Sequence, residues 1–278
     1  MTVRIVTDSG ADISPEVASE LGITIVPLYI YFGDKVYKDG VDIGPDELYQ
    51  RLEHDPLYPT TTQPMPADFA NVYSSLSQDT DAIVSIHLSA KVSGTYNAAL
   101  QGFGIAKPKC EVHVVDGLSV SVGLGVVATA AARVARAGGK LAEVLEETSN
   151  AINQTQIRGL LDTLHYLLKG GRITRAKALV GSLLNVKPIL KMRDGEIVQA
   201  GMVRSYTKGI ERLFEFAKSY PGLQEVAIAH STVPEEAKAL QKHIASIIDE
   251  KRIQMFRLGA ALGVHGGPGT LLVAARGS

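Results

Sequence analysis

Twice in its first hundred residues the chain runs an apolar segment into a polar turn and then into a helix start, and that repeated order leaves few folds open. Residues 3–6 lead into Thr7-Asp8-Ser9-Gly10-Ala11-Asp12, after which Ser14, Pro15 and Glu16 supply an N-cap, an N1 proline and a first-turn acid. Residues 81–88 (Asp-Ala-Ile-Val-Ser-Ile-His-Leu) deliver the chain into Ser89-Ala-Lys-Val-Ser-Gly-Thr95 and then a helix from 94 to about 103. Between the two units Phe69, Val72, Tyr73 and Leu76 recur at i, i+3, i+4 and i+7, which predicts a helix over 66–77. A strand at 111–115 ending at Asp116, an Ala-rich helix over 120–137 stopped by Gly138-Gly139, and a helix from 141 to about 155 follow. Strands alternating with helices call for a mainly parallel sheet with helices on both faces, the doubly wound arrangement.

Residues 23–32 read as one β-branched and aromatic run that Gly33-Asp34 turns into 35–38, and the first helix closes at Gly22. Beyond Arg158 the pattern changes. Residues 186–191 and 197–203 flank Arg193-Asp194-Gly195, a type I′ hairpin signal. A helix over 207–219, a strand over 225–230, a helix over 234–248 and strands over 253–258 and 270–274 complete an α+β unit. At 278 residues the chain accommodates two domains. They are placed at 1–158, an N-terminal α/β domain with polar ligand loops, and 159–278, a C-terminal α+β domain. Arg276-Gly277-Ser278 read as a frayed tail.

Composition narrows the function classes. Lys plus Arg total 28 against 29 for Asp plus Glu, a net charge of −1 that supplies no field for nucleic acid phosphates. The single cysteine, Cys110, rules out an internal disulfide and reads as a small buried hydrophobe. Seven histidines are scattered without metal-ligand spacing, so no metal is expected. The opening Met-Thr-Val-Arg-Ile-Val is interrupted too soon for a signal peptide or a membrane span, and a cytoplasmic location is expected.

Several segments carry chemistry, each with a plainer alternative. Ser93 and Gly94 stand where a strand ends and a helix begins, a setting that suits an anion; Ser93 could equally be an N-cap. Thr60, Thr61 and Thr62 precede Gln63-Pro64 and could converge on an acceptor, or serve as turn hydroxyls. Asp8 and Ser9 follow the first strand, where open α/β sheets bind ligands, although Asp8 could cap local backbone. His265-Gly266-Gly267-Pro268-Gly269 reads as a tight loop presenting one imidazole and lacks the Lys-Ser/Thr of a phosphate loop. Lys169-Gly170-Gly171-Arg172 reads as a helix C-terminus, Arg204 ends a hairpin strand, and either arginine could serve an anion. Gly102-x-Gly104 follows a helix, which does not support a dinucleotide fingerprint.

Taken in order, these segments resemble the DegV family, bacterial fatty-acid-binding proteins. The resemblance spans essentially the whole chain. It rests on Thr7-Asp8-Ser9 with Ala11-Asp12, Thr61-Thr62-Gln63-Pro64, Ser93-Gly94-Thr95-Tyr96 after Ser89, and Val114-Val115-Asp116. It rests further on Leu164-x-Tyr166-Leu167-x-Lys169-Gly170-Gly171-Arg172-Ile173, Lys187-Pro188-Ile189-Leu190, and His265-x-Gly267-Pro268-Gly269. The chain departs from the family pattern at Thr62 and Gly117, where serine is usual, and at Gly10, where a small polar residue is usual. The resemblance implies a two-lobed fold of the kind called EDD, holding a long-chain fatty acid in an enclosed apolar tunnel. It places the carboxylate on Thr61, Thr62, Ser93, Gly94 and His265, with Asp8, Ser9, Thr95 and Arg204 as a supporting polar network. Arg172 becomes the docking residue for the ATP-binding subunit of a fatty acid kinase, which would make an acyl phosphate for phospholipid metabolism. Transient contact with a membrane or an acyltransferase follows from the same role, and no cofactor beyond the bound fatty acid is implied.

The residues agree in kind, since hydroxyls at sheet ends can hold one carboxylate while aliphatic surface takes an alkyl chain. The rival is a hydrolase or acyltransferase with Ser93 as nucleophile and His265 as base, which lacks a Gly-x-Ser-x-Gly elbow and would need Asp8 or Asp116 to orient the imidazole. A small-molecule kinase ranks last, for want of a nucleotide-phosphate loop.

Overall fold

The computed structural model describes residues 2–172 and 186–278; Met1 and residues 173–185, which include Ile173 of the motif above, lie outside the described residues. Four parallel strands form the first sheet in the order β2 (Ile23–Val26), β1 (Val3–Asp8), β6 (Ala82–His87), β7 (Glu111–Asp116). All six residues of β6 are buried, as a strand covered on both faces requires. The chain leaves β1 toward β2 on one side and later returns as β6 on the other. The crevice past the carboxyl ends of β1 and β6 is therefore a topological switch point.

A second sheet of six strands runs β10 (Glu196–Val203), β9 (Lys187–Arg193), β8 (Thr155–Leu160), β13 (Leu271–Arg276), β11 (Glu225–His230), β12 (Ile253–Arg257). It is antiparallel except between β11 and β12. Asp194 and Gly195 turn the β9–β10 hairpin with φ of 52° and 77°, the two left-handed residues of a type I′ turn. Helices α8 (Tyr206–Lys218) and α9 (Pro234–Ile244) cover one face through Leu213, Phe216 and Leu240.

Helix α5 (Ser121–Arg136) joins the two sheets. Every residue of its first three turns, Ser121 to Ala132, is buried, and a helix apolar all round must be enclosed on every side. Leu124, Val127 and Ala128 pack into the core of the first sheet, whereas Val122 and Val126 pack with Ile157, Ala229 and Ala274 of the second. Its glycines permit that approach. A Cβ on Gly125 would lie 2.6 Å from Ala11 O, and one on Gly123 would press on Ile157 at 3.3 Å.

Several expectations need correction. The run over 23–32 is two strands in different sheets: Pro27 breaks it, and β3 (Tyr29–Phe32) pairs instead with β4 (Lys35–Lys38) and β5 (Thr60–Thr62) in a small antiparallel sheet. The threonine cluster is thus a strand and not a turn, because three β-branched residues can satisfy their backbone against β3. His265 stands in the last turn of a helix, α10 (Ala260–Gly266), not in a tight loop. Gly263 weakens the helical signal there yet is needed, since its Cβ would meet Leu48 of α2 (Pro45–His54) at 2.6 Å. The N-cap of α4 (Thr95–Ala106) is Gly94 rather than Ser93. The boundary drawn at residue 158 falls inside β8, and the chain beyond it returns to the first lobe, where Ala260, Ala261 and Val264 join the core.

The carboxyl end is no frayed tail either. Arg276 belongs to β13, is 8% exposed, and bridges Glu147 at 2.7 Å and Glu225 at 3.5 Å; the Gly277 N–H donates to Gln154 O at 3.1 Å. Arg276→Met takes from Glu147 the cation it bridges and leaves Glu225 with Arg133 alone, at 2.8 Å, and is expected to cost about 2–3 kcal/mol. Calorimetry should show Tm lower by about 4–10 °C. An unchanged Tm would contradict the docked end.

Candidate functional site

Past the N-terminus of α5 no helix among the described residues spaces the two large sheets, and a cavity lies between them. Leu28 and Leu88 line it from the first lobe, Ile157, Met192 and Leu272 from the second sheet, and Leu258 and Leu262 from around α10. Gly10, where a small polar residue was expected, makes room for this wall: a Cβ there would fall 2.6 Å from Leu88. Gly117 is equally constrained, its Cβ position lying 2.7 Å from His87 O.

One end of the cavity is polar, and four separate elements build it. Side chains alternate along β5, so Thr61 turns inward while Thr60 and Thr62 are exposed. Thr61 Oγ1 lies 2.7 Å from His265 Nε2 on α10. Thr62 and Gln63 also border the cavity, and the Gln63 amide lies so near Gly94 that a Cβ there would be 3.1 Å from it. Ser93, in the loop before α4, places Oγ 2.8 Å from Thr95 Oγ1 and accepts the Thr95 N–H at 3.3 Å; Thr95 is itself fully buried.

His265 is held neutral. Burial, with the positive charge of Arg172 second, lowers its pKa to about 4. Its Nδ1 is buried without a hydrogen-bond partner among the described residues and faces Gly170, where a Cβ would collide with it. The tautomer that fits carries its hydrogen on Nε2, since an Nδ1–H would be a buried donor with no acceptor. Tyr58 fixes the end of α10 by donating to Val264 O at 2.5 Å, with the Lys169 ammonium 4.5 Å from its ring centre.

The two arginines differ from expectation. Arg172, reached through α7 (His165–Lys169), lines the polar end, donating from Nη1 to Gly170 O at 2.6 Å and from Nε to Val92 O at 3.4 Å. Arg204 does not line the cavity; one residue past β10 its side chain has left the sheet and is exposed. Asp8 and Ser9 lie beneath the site rather than in it. Asp8 accepts from Gly10 N–H and Leu88 N–H, both at 3.0 Å, and Ser9 Oγ accepts from the Leu28 N–H at 3.0 Å, so each fixes the backbone of a cavity leucine or its neighbour.

Among the described residues no Ser-His-acid chain opens on the cavity, and the one formed by Ser85, His87 and Asp8 lies in the core. Asp8 pairs with His87 Nδ1 at 2.9 Å, and His87 Nε2, Ser85 and Tyr73 continue a fully buried chain closed to any substrate. Asp116 accepts from Ala90 N–H and Leu118 N–H, and His265 bonds Thr61 rather than Ser93.

Sequence reasoning missed the cluster on the opposite wall. Asp12 and Ser121 both take left-handed backbone, with φ of 50° and 51°, and Ser121 Oγ donates to Asp12 Oδ2 at 2.5 Å. The other Asp12 oxygen accepts from Gly259 N–H at 2.9 Å, and Asp39 accepts from Ala260 N–H at 3.1 Å. Burial, with neighbouring carboxylates adding to it, pushes the Asp12 carboxyl up to about 8 and that of Asp39 to about 6. Asp12 belongs to the Ala-Asp pair noted in sequence, but nothing local linked it to Ser121, 109 positions away.

Known proteins place this geometry. A family model described as an uncharacterised protein of the DegV family matches residues 2–276. A DegV domain-containing protein of Streptomyces coelicolor is 37% identical over 274 residues, covering 97% of this chain and 96% of that one. Another, from Deinococcus radiodurans, is 35% identical over 280 residues, covering 99% and 98%. Among solved structures, one concerned with fatty acid binding by a DegV family protein of Thermus thermophilus superposes with a TM-score of 0.93 at 32% identity, covering all of both chains. A stearic acid-binding protein from Eubacterium ventriosum gives 0.89 at 28% identity, covering 99% of this chain and 98% of that one.

Two outcomes follow from this geometry. Gly170→Ala should push the imidazole off Thr61, and the 2.7 Å contact should lengthen in a crystal structure of the variant; an unmoved His265 would contradict the packing. Asp12 binds its proton more tightly folded than unfolded, so the stability it contributes is complete below pH 4 and is lost as pH rises through about 8. Tm of the wild type should therefore fall between pH 6 and pH 8.5. Asp12→Asn, whose oxygen can accept from the Gly259 N–H while its NH2 donates to Ser121 Oγ, and which tolerates the left-handed backbone, should flatten that slope. Equal slopes would overturn the assignment.

Proposed function

Because the chain belongs to the DegV family, we propose that it carries a long-chain fatty acid, tail in the cavity and carboxylate on Thr61 and Ser93. The observation that supports this most is that both hydroxyls are backed by donors. In the Nε2–H tautomer His265 fills a lone pair of Thr61, and the Thr95 N–H fills one of Ser93, which leaves each hydroxyl hydrogen free to turn into the cavity. Two outward donors beside a guanidinium suit a group that only accepts, and a carboxylate is such a group. The apolar walls suit the tail: a sixteen-carbon chain at about 0.8 kcal/mol per methylene gains on the order of 10 kcal/mol before ordering costs.

The carrier presents its ligand to a separate ATP-binding kinase subunit, where a carboxylate oxygen attacks the terminal phosphorus of ATP and ADP leaves. Arg172, between the polar end and the protein surface, is positioned to meet that partner. In this reading the carrier itself performs no chemistry.

Displacement of a fluorescent lipid by saturated acids and the matching alcohols tests the assignment. Affinity should rise about fourfold per methylene from C10 and turn over once the cavity is full. Alcohols of the best length should bind more weakly than acids. Thr61→Ala and Ser93→Ala should each weaken acid binding by about 1–3 kcal/mol. A flat length dependence, or alcohols binding as well as acids, would overturn the proposal.

A further inference from the structure

Ser121 brings a hydroxyl to the cavity wall, whose lining also takes in Val120 and the α10 residues Ala261 and Leu262. It does not cap α5, whose N-cap, Val120, has no side-chain hydrogen bond. Nor is its backbone relaxed, since a left-handed φ of 51° is uncommon for serine. The hydroxyl is 1% exposed as a residue, borders the cavity, and spends one bond on Asp12. A hydroxyl has one hydrogen and two lone pairs, so capacity remains on the cavity side.

We propose that Ser121 gives the cavity a second polar contact, selective for an acyl chain that carries a hydroxyl near its middle. The proposal rests on the fatty-acid reading above. Its position along the chain follows from α10. Gly259, whose N–H bonds Asp12, and His265, which bonds Thr61, are six residues apart, and a rise of 1.5 Å per residue separates them by about 9 Å. An extended alkyl chain advances roughly 1.2–1.3 Å per bond, given a 1.52 Å carbon–carbon bond. About seven or eight bonds then separate the carboxyl carbon from the carbon beside Ser121, which points to oxygenation at carbons 8–9. A ligand hydroxyl can donate to Ser121 or accept from it, so it fits whichever way the Ser121–Asp12 bond is polarised. Elsewhere on the apolar wall the same hydroxyl would be buried without a partner.

The test measures stearic, 9-hydroxystearic and 18-hydroxystearic acids against the wild type, Ser121→Ala and Ser121→Gly, glycine being free to keep the left-handed backbone. In the wild type 9-hydroxystearic acid should bind within about threefold of stearic acid, and 18-hydroxystearic acid at least about tenfold more weakly. Both variants should weaken 9-hydroxystearic acid by about tenfold and change stearic acid by less than about threefold. The wild-type comparison of the two positional isomers decides the matter even if the variants fold poorly. Rejection of 9-hydroxystearic acid by a wild type that binds stearic acid, or equal loss for both acids in the variants, would overturn this proposal alone. Failure of stearic acid itself to bind would overturn the fatty-acid reading and this one with it.

Discussion

The burial of α5 between the two larger sheets is the contact on which the other features depend. A helix with no solvent face cannot be stable by itself, and here it is covered by Ile5 and Ile86 of the first sheet on one side and by Ile157 and Ala274 on the other. Its small residues set the spacing of the layers, because Gly123 and Gly125 touch opposite lobes. The cavity is a consequence of where that helix begins. Beyond Val120 no described residue fills the gap between the sheets, and the leucines lining the opening come from elements that α5 holds apart.

The polar end follows a consistent electrostatic logic. Its groups are hydroxyls, a neutral imidazole and one guanidinium, assembled from β5, α10, the loop before α4 and the residue after α7. A charged histidine there would carry its own desolvation cost in the empty protein, whereas a neutral one donates a hydrogen bond without it. The acids close by are handled differently. Asp8 is shared among His87 and two backbone donors, and Asp12 and Asp39 lie near the start of α10, bonded to its first backbone N–H groups. That leaves α10 held at one end by carboxyls and at the other by Thr61 and Tyr58.

Strand–loop–helix order made the parallel sheet legible, and Asp-Gly between two β runs did the same for the β9–β10 hairpin. Those signals are local. What failed locally was β5, where threonine is as common in turns as in strands and pairing with β3 decides, and α10, where Gly263 and Gly266 dilute the periodicity. Thr61 could be separated from Thr62 only by the side-chain alternation of that unrecognised strand. Arg172 and Arg204 were interchangeable as sequence and differ entirely in place, one lining the cavity and one exposed. The Asp12–Ser121 contact joins residues 109 apart, and no motif announces it.

The central claim is that a carboxylate sits on Thr61 and Ser93 at the polar end of the cavity. It is tested most directly by NMR of the protein loaded with palmitic acid carrying ¹³C at the carboxyl carbon. The account predicts one bound carboxyl resonance, distinct from the free acid, that moves in Thr61→Ala and in Ser93→Ala and moves much less in Thr62→Ala. A bound resonance unchanged in the first two variants would put the carboxylate somewhere else and contradict the account.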